Sequence, residues 1–150
     1  MNNSESIDHR GVTAPLKQKI QDNAEIKPHE VEEIISLLDQ GKIRVAQKVN
    51  SKWEVNSWVK KAILLYFKTA PMEEIHLSPY EYRDKIPLKK NYKDLNIRVV
   101  PPAVARFGSY MEPGVVLMPS YVNIGAWIGK NTMLINRQAG AQFFLGELLT

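Results

Sequence analysis

A six-residue repeat near the end of the chain restricts its fold more than any other feature. Apolar side chains recur every six positions, and a small side chain follows each of the first five by four positions. The apolar row is Val104, Tyr110, Val116, Val122, Ile128 and Leu134, and the small row is Gly108, Gly114, Ser120, Ala126 and Thr132. This period fits neither an α-helix nor a single strand. It is typical of a parallel β-helix, whose chain turns a corner after every short strand.

We expect the apolar row to point into the prism that such coils enclose, and the small row to lie at its corners, where little room is left. Accidental spacing within an apolar, loop-rich segment is the alternative, and the parallel row of small side chains argues against it. The sequence therefore predicts the start of a left-handed parallel β-helix over residues 97–134, with three hexapeptide units in each coil.

The repeat fails after Met133, so the predicted β-helix is incomplete. Gly140 and Gly146 stand where apolar residues are expected, and Gln138 stands where a small residue is expected. Five units give fewer than two coils. An open coil end exposes unpaired strand edges, and coils of this kind need stacked neighbours and a cap. We therefore assign residues 135–150 to a divergent tail.

The residues before the repeat predict an α/β domain. Residues 28–41 have apolar side chains at helical spacing and predict an amphipathic helix that begins with proline and stops at glycine. Residues 43–55 alternate in polarity around a turn, which predicts a β-hairpin. A second helix is predicted from Asn56 or Ser57, either of which can cap it, to Pro71, which ends it.

The flanks of this domain are less regular. Residues 1–27 are polar and predict a tail, with a short helical turn around Leu16 and Ile20 as the alternative. Residues 72–96 are rich in proline, charge and tyrosine and predict an irregular linker. Its two extended pieces are expected around residues 74–77 and 85–88. The four predicted segments are thus residues 1–27, 28–96, 97–134 and 135–150.

Composition argues against several classes of protein. The 150 residues contain no cysteine, which excludes disulfides and thiol nucleophiles and is compatible with a reducing cytoplasm. The histidines His9, His29 and His76 are scattered without the spacing of metal ligands. No stretch reaches the ~18 apolar residues of a membrane span, and the polar N-terminus is unlike a secretory signal. We therefore expect a cytoplasmic protein without a metal or a membrane partner.

The net charge of +4 suits either a phosphate-bearing ligand or nucleic acid. The basic residues Lys60–Lys61 and Lys89–Lys90 come as pairs, and they form no stripe interleaved with aromatic side chains. We therefore interpret the charge as a solvated basic surface and expect no nucleic-acid partner.

Three stretches of the chain resemble the tetrahydrodipicolinate N-succinyltransferase family. They are residues 55–65 (Val-Asn-Ser-Trp-Val-Lys-Lys-Ala-Ile-Leu-Leu), residues 98–103 (Arg-Val-Val-Pro-Pro-Ala) and residues 116–126 (Val-Leu-Met-Pro-Ser-Tyr-Val-Asn-Ile-Gly-Ala). Residues 39–49 agree as well, so the resemblance spans about residues 30–133. Hexapeptides alone would indicate only the wider acyltransferase superfamily, whereas the Pro-Pro and Met-Pro-Ser-Tyr runs narrow it to this family.

The resemblance implies an enzyme of bacterial lysine and diaminopimelate synthesis. Members of the family transfer the succinyl group of succinyl-CoA to the amine of ring-opened tetrahydrodipicolinate, with no metal and no permanently bound cofactor. The resemblance also implies a homotrimer of left-handed β-helices, each with an N-terminal α/β domain, whose active sites lie between neighbouring helices.

Arg98 is the candidate substrate-binding residue. The acceptor in the implied reaction carries two carboxylates, which suit the fork-shaped donors of a guanidinium group. Arg98 matches the family's substrate-binding arginine, and a surface charge at a strand start is the alternative role. Arg106 has no such support and is expected to be a surface residue, and Glu112 is expected to face solvent at a turn. The catalytic base and the residues that bind coenzyme A stay unassigned.

One departure from the family pattern is serious. Family members have a substrate-binding aspartate shortly after a Thr-Met pair, whereas here Thr132-Met133-Leu134 is followed by Ile135. The later coils, where the family places most of its coenzyme A contacts and its cap, have no counterpart either. We therefore expect a truncated or frame-shifted chain that is inactive alone.

Two other functions stay open on the sequence. The chain could belong to a different hexapeptide acyltransferase, which competition between acyl donors would separate from a succinyltransferase. It could also be a non-catalytic partner in a trimer of full-length homologues, which co-purification with such a homologue would support.

Overall fold

The computed structural model describes residues 10–130 and 133–134, with side chains from residue 13 to residue 130. The first elements are α1 (Arg10–Gln21), α2 (Pro28–Asp39), β1 (Ala46–Val49), β2 (Lys52–Val55), α3 (Ser57–Thr69), β3 (Glu73–Leu77) and β4 (Tyr80–Asp84). The short strands that follow are β5 (Arg98–Val99), β6 (Val104–Ala105), β7 (Tyr110–Met111), β8 (Val116–Leu117), β9 (Tyr121–Val122), β10 (Trp127–Ile128) and β11 (Met133–Leu134). No helix in this part of the chain is long and apolar enough to span a membrane.

Helix α1 corrects the expectation of a polar tail for residues 10–21. Leu16 and Ile20 lie one turn apart on the same helical face, and both are buried in the core formed with α2 and α3. Lys19 of α1 also forms an ion pair with Glu30 of α2. The short helical turn that was the alternative for this segment is therefore a full helix, stabilised by burial of its apolar face.

Helix α2 confirms the first predicted helix. It begins at Pro28, and the backbone N–H of Lys27 donates to Glu30 Oε2 at 2.9 Å. The side chains buried on its inner face are Val31, Ile34, Ile35, Leu37 and Leu38. The helix ends at Asp39, and Gly41 then takes a φ of +70°, a conformation that favours glycine.

The predicted hairpin and second helix are confirmed as well. Strands β1 and β2 pair antiparallel, and the two residues between them, Asn50 and Ser51, both have positive φ values, as a tight hairpin turn requires. Helix α3 follows at Ser57 and ends before Pro71. Asn56 stands at the N-cap position, but its side chain donates to the carbonyl oxygen of Arg44 at 2.8 Å and so ties the helix to the hairpin.

Residues 73–84 form a second antiparallel hairpin where an irregular linker was expected. The expected extended piece at residues 74–77 is confirmed as part of β3, which pairs with β4. The piece expected at residues 85–88 forms no strand, although Leu88 makes an isolated antiparallel bridge with Arg106. Ile75 lies opposite Tyr82, and Leu77 opposite Tyr80, so the tyrosines supply the apolar face of the returning strand.

The segment after this hairpin packs the helical domain against the first coil. Ile86 is fully buried in the helical core. The backbone N–H of Lys89 donates to the carbonyl oxygen of Ala105 at 2.8 Å. The buried ammonium group of Lys89 lies 2.7 Å from Asp39 Oδ1, which also accepts the backbone N–H of Gly108 at 2.8 Å. Asp39 therefore joins the end of α2 to two later segments of the chain.

The short strands β5–β11 pair parallel in three ladders. Strands β5, β8 and β11 form one ladder, β6 and β9 a second, and β7 and β10 a third. Arg98 pairs with Val116, 18 positions later, whereas Val104 pairs with Tyr121 and Tyr110 with Trp127, both 17 positions later. A chain that returns to itself after every third strand is compatible with an incomplete β-helix.

The interior row of the coils differs from the predicted apolar row in its first half. The buried residues are Ala105, Met111, Leu117, Val122 and Ile128. Of the predicted row, Val104, Tyr110 and Val116 are only partly buried, and the side chain of Leu134 lies outside the described residues. The corner at residues 118–120 is one residue shorter than the corner at residues 100–103, so the interior row advances by five positions between Leu117 and Val122.

Tyr110 lies on the outer surface, where its ring packs 4.1 Å from the ring of Trp127. The guanidinium group of Arg44 lies 3.3 Å from the centre of the Trp127 ring and covers this pair. An aromatic residue of the predicted interior row thus serves as a contact between the coils and the first hairpin.

The corners are also shifted relative to the predicted small row. Gly108 has a φ of +83°, and the equivalent residue in the next coil is Gly125, with a φ of +85°. The backbone N–H of Gly125 donates to the carbonyl oxygen of Gly108 at 2.8 Å. The small residue predicted at this corner was Ala126, which comes one position after Gly125. The difference of one position arises because the second coil is one residue shorter.

Candidate functional site

Arg98 begins the first strand of the coils and is exposed. Its backbone N–H donates to the carbonyl oxygen of Val115 at 3.1 Å, which fixes the start of β5 against β8. Ile97, the residue before it, is buried among the interior side chains. The main chain is therefore held on both sides of Arg98 while its guanidinium group faces outward.

A tight turn brings residues 91–96 next to Arg98. The backbone N–H of Asn96 donates to the carbonyl oxygen of Lys93 at 3.1 Å, and that of Ile97 donates to Tyr92 at 2.9 Å. Asn91 and Asn96 both have positive φ values, which asparagine tolerates better than most residues. The turn is joined to the next coil, since the carbonyl oxygen of Asn96 accepts the N–H of Gly114 at 2.8 Å.

This turn and the first two coils enclose an open cleft of about 400 Å³. Its lining residues are Tyr92, Lys93, Asn96, Ile97, Arg98, Gly114, Val115 and Val116. A side chain at Gly114 would meet no atom within 4 Å, so the glycine leaves that side of the cleft open. The cleft is wide enough for a small organic ligand and is accessible from solvent.

The charged residues that line the cleft are basic. Lys93 and Arg98 both line it, and the lining residues within the described part of the chain include no carboxylate. Arg98 offers a planar set of donors that suits a carboxylate, and Lys93 adds a second positive charge. Burial, together with the negative charge of Asp39, raises the pKa of the Tyr92 phenol above its ordinary value.

Arg106 corrects the expectation of a surface residue. Its guanidinium group lies 2.8 Å from Asp84 Oδ2 and donates to Asn123 Oδ1 at 3.1 Å. It also lies 5.5 Å from the centre of the Phe67 ring and 5.7 Å from that of Tyr121. These contacts join the second hairpin, helix α3 and the first two coils, so Arg106 has a structural role outside the cleft.

Glu112 is partly buried at a corner, where Oε2 accepts the backbone N–H of Lys130 at 2.9 Å. It is thus a corner residue that joins consecutive coils, and it does not line the cleft.

Lys93 and Asn96 were not predicted as site residues. Their sequence shows only a polar stretch before a strand, and their position beside Arg98 follows from the turn.

No group of three or more histidine, aspartate or glutamate side chains in the described part of the chain could hold a metal ion. The described residues that line the cleft offer the positive charges and hydrogen-bond donors of Lys93 and Arg98.

The fold and the cleft define a protein in which an α/β domain precedes coiled, parallel strands, and a cleft lined by Lys93 and Arg98 lies where the coils begin. Residues 15–69 match the family profile "Tetrahydrodipicolinate N-succinyltransferase N-terminal". The resemblance inferred from the sequence is confirmed over these residues.

Curated relatives extend the similarity beyond that domain. The chain is 48% identical over 110 residues to the 2,3,4,5-tetrahydropyridine-2,6-dicarboxylate N-succinyltransferase of Acinetobacter baylyi, a match that covers 69% of this chain and 40% of the relative. It is 43% identical over 127 residues to the protein of that name from Nitrosomonas europaea, covering 75% of this chain and 46% of the relative. The chain thus spans less than half the length of these relatives.

The match to the Nitrosomonas protein includes the cleft turn. Any continuous stretch that covers 75% of a 150-residue chain contains residues 39–112, and therefore Tyr92, Lys93 and Arg98. The similarity is thus not confined to the N-terminal domain.

Proposed function

We propose that the residues described here form the N-terminal part of an N-succinyltransferase that acts on a tetrahydropyridine-2,6-dicarboxylate in lysine and diaminopimelate synthesis. The observation that carries this proposal is the 43–48% identity to two N-succinyltransferases, over a stretch that in one of them includes Arg98. Succinyl-CoA is the co-substrate. The absence of cysteine is compatible with a reducing cytoplasm, which we propose as the location.

The reaction joins an amine to a thioester. The nitrogen of the ring-opened acceptor attacks the carbonyl carbon of succinyl-CoA, an amide bond forms, the C–S bond breaks, and coenzyme A leaves as a thiolate that takes up a proton. The amine loses a proton in the same sequence. This chemistry requires that both substrates are held in contact and that the oxyanion is stabilised, but no covalent intermediate on the protein is needed.

Arg98 and Lys93 are proposed to bind the two carboxylates of the acceptor. Arg98 would bind one carboxylate through paired hydrogen bonds, and Lys93 would neutralise the other. Both side chains line the same cleft, and its backbone wall is fixed by the Gly114–Asn96 hydrogen bond of 2.8 Å. Such preorganisation lowers the cost of ordering the site when the ligand binds.

The ladder of short strands supports a left-handed β-helix that begins at residue 97, after an N-terminal domain and connecting hairpin that end at residue 96. We further propose that the complete enzyme is a homotrimer. The sequence is expected to diverge from the family pattern after Leu134, and the divergent tail at residues 135–150 lies outside the described residues. Because the chain spans only 40% of the Acinetobacter relative, we propose that it does not release coenzyme A from succinyl-CoA by itself.

The acceptor cleft can be tested by titrating the full chain with heptanedioate, a flexible dicarboxylate with the same carboxylate spacing along its carbon chain as the proposed acceptor. We expect Arg98→Ala to weaken binding by about tenfold or more, because a hydrogen bond to a charged group contributes ~1.5–3 kcal/mol. Lys93→Ala should weaken it by a smaller factor, about threefold, since an exposed single charge contributes less. Isothermal titration calorimetry measures both changes.

Arg83→Ala is the matched control, because Arg83 is an exposed arginine on β4 and does not line the cleft. It should bind heptanedioate as the unchanged chain does. Equal weakening by Arg83→Ala and Arg98→Ala would show that binding depends on net charge alone and would contradict the proposed role of the cleft.

A further inference from the structure

Lys93 is an amine in the cleft that the proposed acyl transfer does not use as a nucleophile. It is exposed, and it lines the cleft together with Arg98. The turn that carries it is fixed, because the carbonyl oxygen of Lys93 accepts the backbone N–H of Asn96 at 3.1 Å. In the part of the chain that the structure describes, the ammonium group of Lys93 has no ion pair and no hydrogen-bond partner. Lys93 is therefore an accessible amine on a fixed turn beside an arginine.

Other lysines are either held by the protein or lie outside the cleft. The buried ammonium group of Lys89 lies 2.7 Å from Asp39 Oδ1, and that of Lys85 donates to the carbonyl oxygen of Phe67 at 3.0 Å. These contacts favour the protonated form of each amine, which cannot act as a nucleophile. The exposed lysines that do not line the cleft include Lys60, Lys68 and Lys90. They serve as reference amines for the reactivity of Lys93.

Arg98 is suited to bring an acyl donor to this amine when the donor carries a free carboxylate. A guanidinium group binds a carboxylate through two parallel hydrogen bonds and so fixes its orientation. In succinyl-CoA a short chain of methylene groups joins the free carboxylate to the thioester, so both ends of the succinyl group fit within one cleft of about 400 Å³. The side of the cleft at Gly114 is open, which leaves room for the coenzyme A portion to extend into solvent.

We propose that Lys93 is a site of self-acylation, at which succinyl-CoA bound through its carboxylate by Arg98 transfers its succinyl group to Nζ of Lys93. The neutral amine attacks the thioester carbonyl carbon, an amide C–N bond forms and the C–S bond breaks. Coenzyme A leaves as a thiolate and takes up a proton, while the amine loses one. Holding the amine and the thioester in one cleft accelerates this step over the same reaction at a lysine elsewhere on the surface. The inference rests on the proposed function for its choice of succinyl-CoA as the donor.

The modification reverses the charge of one side of the cleft. A succinylated lysine has lost its ammonium group and ends in a carboxylate, so the cleft changes from two positive charges to one charge of each sign. The new carboxylate repels a dicarboxylate ligand and competes with it for Arg98. Self-acylation therefore closes the cleft to the acceptor when succinyl-CoA is present without it, and a bound acceptor protects Lys93.

The test is incubation of the full chain with succinyl-CoA, followed by peptide mass spectrometry that measures the rate of acylation at each lysine. We expect Lys93 to react about tenfold or more faster than the reference amines Lys60, Lys68 and Lys90. Acetyl-CoA, a thioester without the carboxylate, should acylate Lys93 no faster than the reference amines. Arg98→Ala should lower the rate with succinyl-CoA at Lys93 to that of the reference amines, and Arg83→Ala should leave it unchanged.

A second measurement links the modification to the cleft. After treatment with succinyl-CoA and removal of the reagent, the unchanged chain should bind heptanedioate about tenfold or more weakly, because a carboxylate then stands where Lys93 offered a cation. Lys93→Arg is the matched control, since it keeps the positive charge but has no amine that forms a succinyl-lysine. It should bind heptanedioate equally well before and after the treatment.

Three results would each overturn the proposal: uniform acylation of the exposed lysines, a preference for Lys93 that persists with acetyl-CoA or in Arg98→Ala, and equal loss of binding by treated Lys93→Arg. Heptanedioate binding that depends on Arg98, without selective acylation of Lys93, would contradict self-acylation and leave the proposed function standing. Selective acylation of Lys93 in a chain that does not bind heptanedioate would instead contradict the proposed acceptor site, so the two failures are distinguishable.

Discussion

Replacing Lys89 by methionine is expected to lower the free energy of unfolding by about 3 kcal/mol, the lower end of the range for breaking a buried ion pair. The side chain of Lys89 is 2% exposed, and its ammonium nitrogen lies 2.7 Å from Asp39 Oδ1. Methionine retains most of the apolar stem but leaves the Asp39 carboxylate without its cation. The lower end applies because Asp39 is 19% exposed and keeps its hydrogen bond from the Gly108 N–H.

Urea unfolding followed by far-ultraviolet circular dichroism measures this change. Lys90→Met is the matched control, because Lys90 is the neighbouring lysine and is exposed, and it should change the free energy of unfolding by less than ~0.5 kcal/mol. Equal effects of the two substitutions would contradict a role for the Lys89–Asp39 pair in holding α2 against the first coil.

Gly108→Ala is expected to destabilise the protein by about 3 kcal/mol, from two separate causes. The φ of +83° costs an L-residue ~1–2 kcal/mol. The added methyl group would lie 2.7 Å from Ile124 Cγ1 and 2.9 Å from Ile35 Cγ2, and crowding in a packed core costs a further ~1–3 kcal/mol. Ile35 belongs to α2 and Ile124 to the second coil, so the crowding would separate these parts.

Gly114→Ala separates the two causes. Gly114 has a similar φ of +94°, but a methyl group there would meet no atom within 4 Å. Gly114→Ala should therefore lower the free energy of unfolding only through the unfavourable backbone conformation, by ~1–2 kcal/mol. Thermal or urea unfolding of the two variants gives the difference directly, and identical losses would show that Gly108 is retained for its backbone conformation and not for close packing.

The N-terminal elements could be predicted from the sequence because their signals are local. The apolar spacing of α2, the turn at Asn50 and Ser51, and Pro71 after α3 each act within a few residues. Among the side chains of α1 that the structure describes, Leu16 and Ile20 are the ones buried in the core, and such a short helix depends on packing against α2 and α3. The sequence of this polar segment alone does not indicate that it packs against α2 and α3.

The coil register shows a different limit. The six-residue repeat correctly indicated short strands separated by corners, but a repeat of uniform length cannot reveal that one corner has lost a residue. Before the shorter corner at residues 118–120, the buried residue is Leu117, one position after the predicted Val116. After that corner, the buried residues are Val122 and Ile128, as predicted. A shift of one residue exchanges the two faces of a strand, so Val104 and Tyr110 lie further out than predicted.

The site was predictable only in part. Arg98 was identified through its place in a family motif, and the structure locates it in a cleft. Lys93 enters that cleft through the turn at residues 91–96, and the pairing of Asp39 with Lys89 spans 50 positions of sequence. Contacts of this kind depend on how distant segments pack, and neither residue type nor spacing indicates them.

The central claim is most directly tested by a chimera in which residues 10–130 of this chain replace the matching part of the Acinetobacter baylyi relative. The assay measures succinyl transfer to tetrahydropyridine-2,6-dicarboxylate through the coenzyme A that is released from succinyl-CoA. We predict an active chimera whose kcat/KM falls by about 100-fold on Arg98→Ala, equivalent to the loss of ~2.7 kcal/mol of transition-state stabilisation, and is unchanged by Arg83→Ala. A folded chimera without activity, or one whose activity is indifferent to Arg98, would contradict the proposed function.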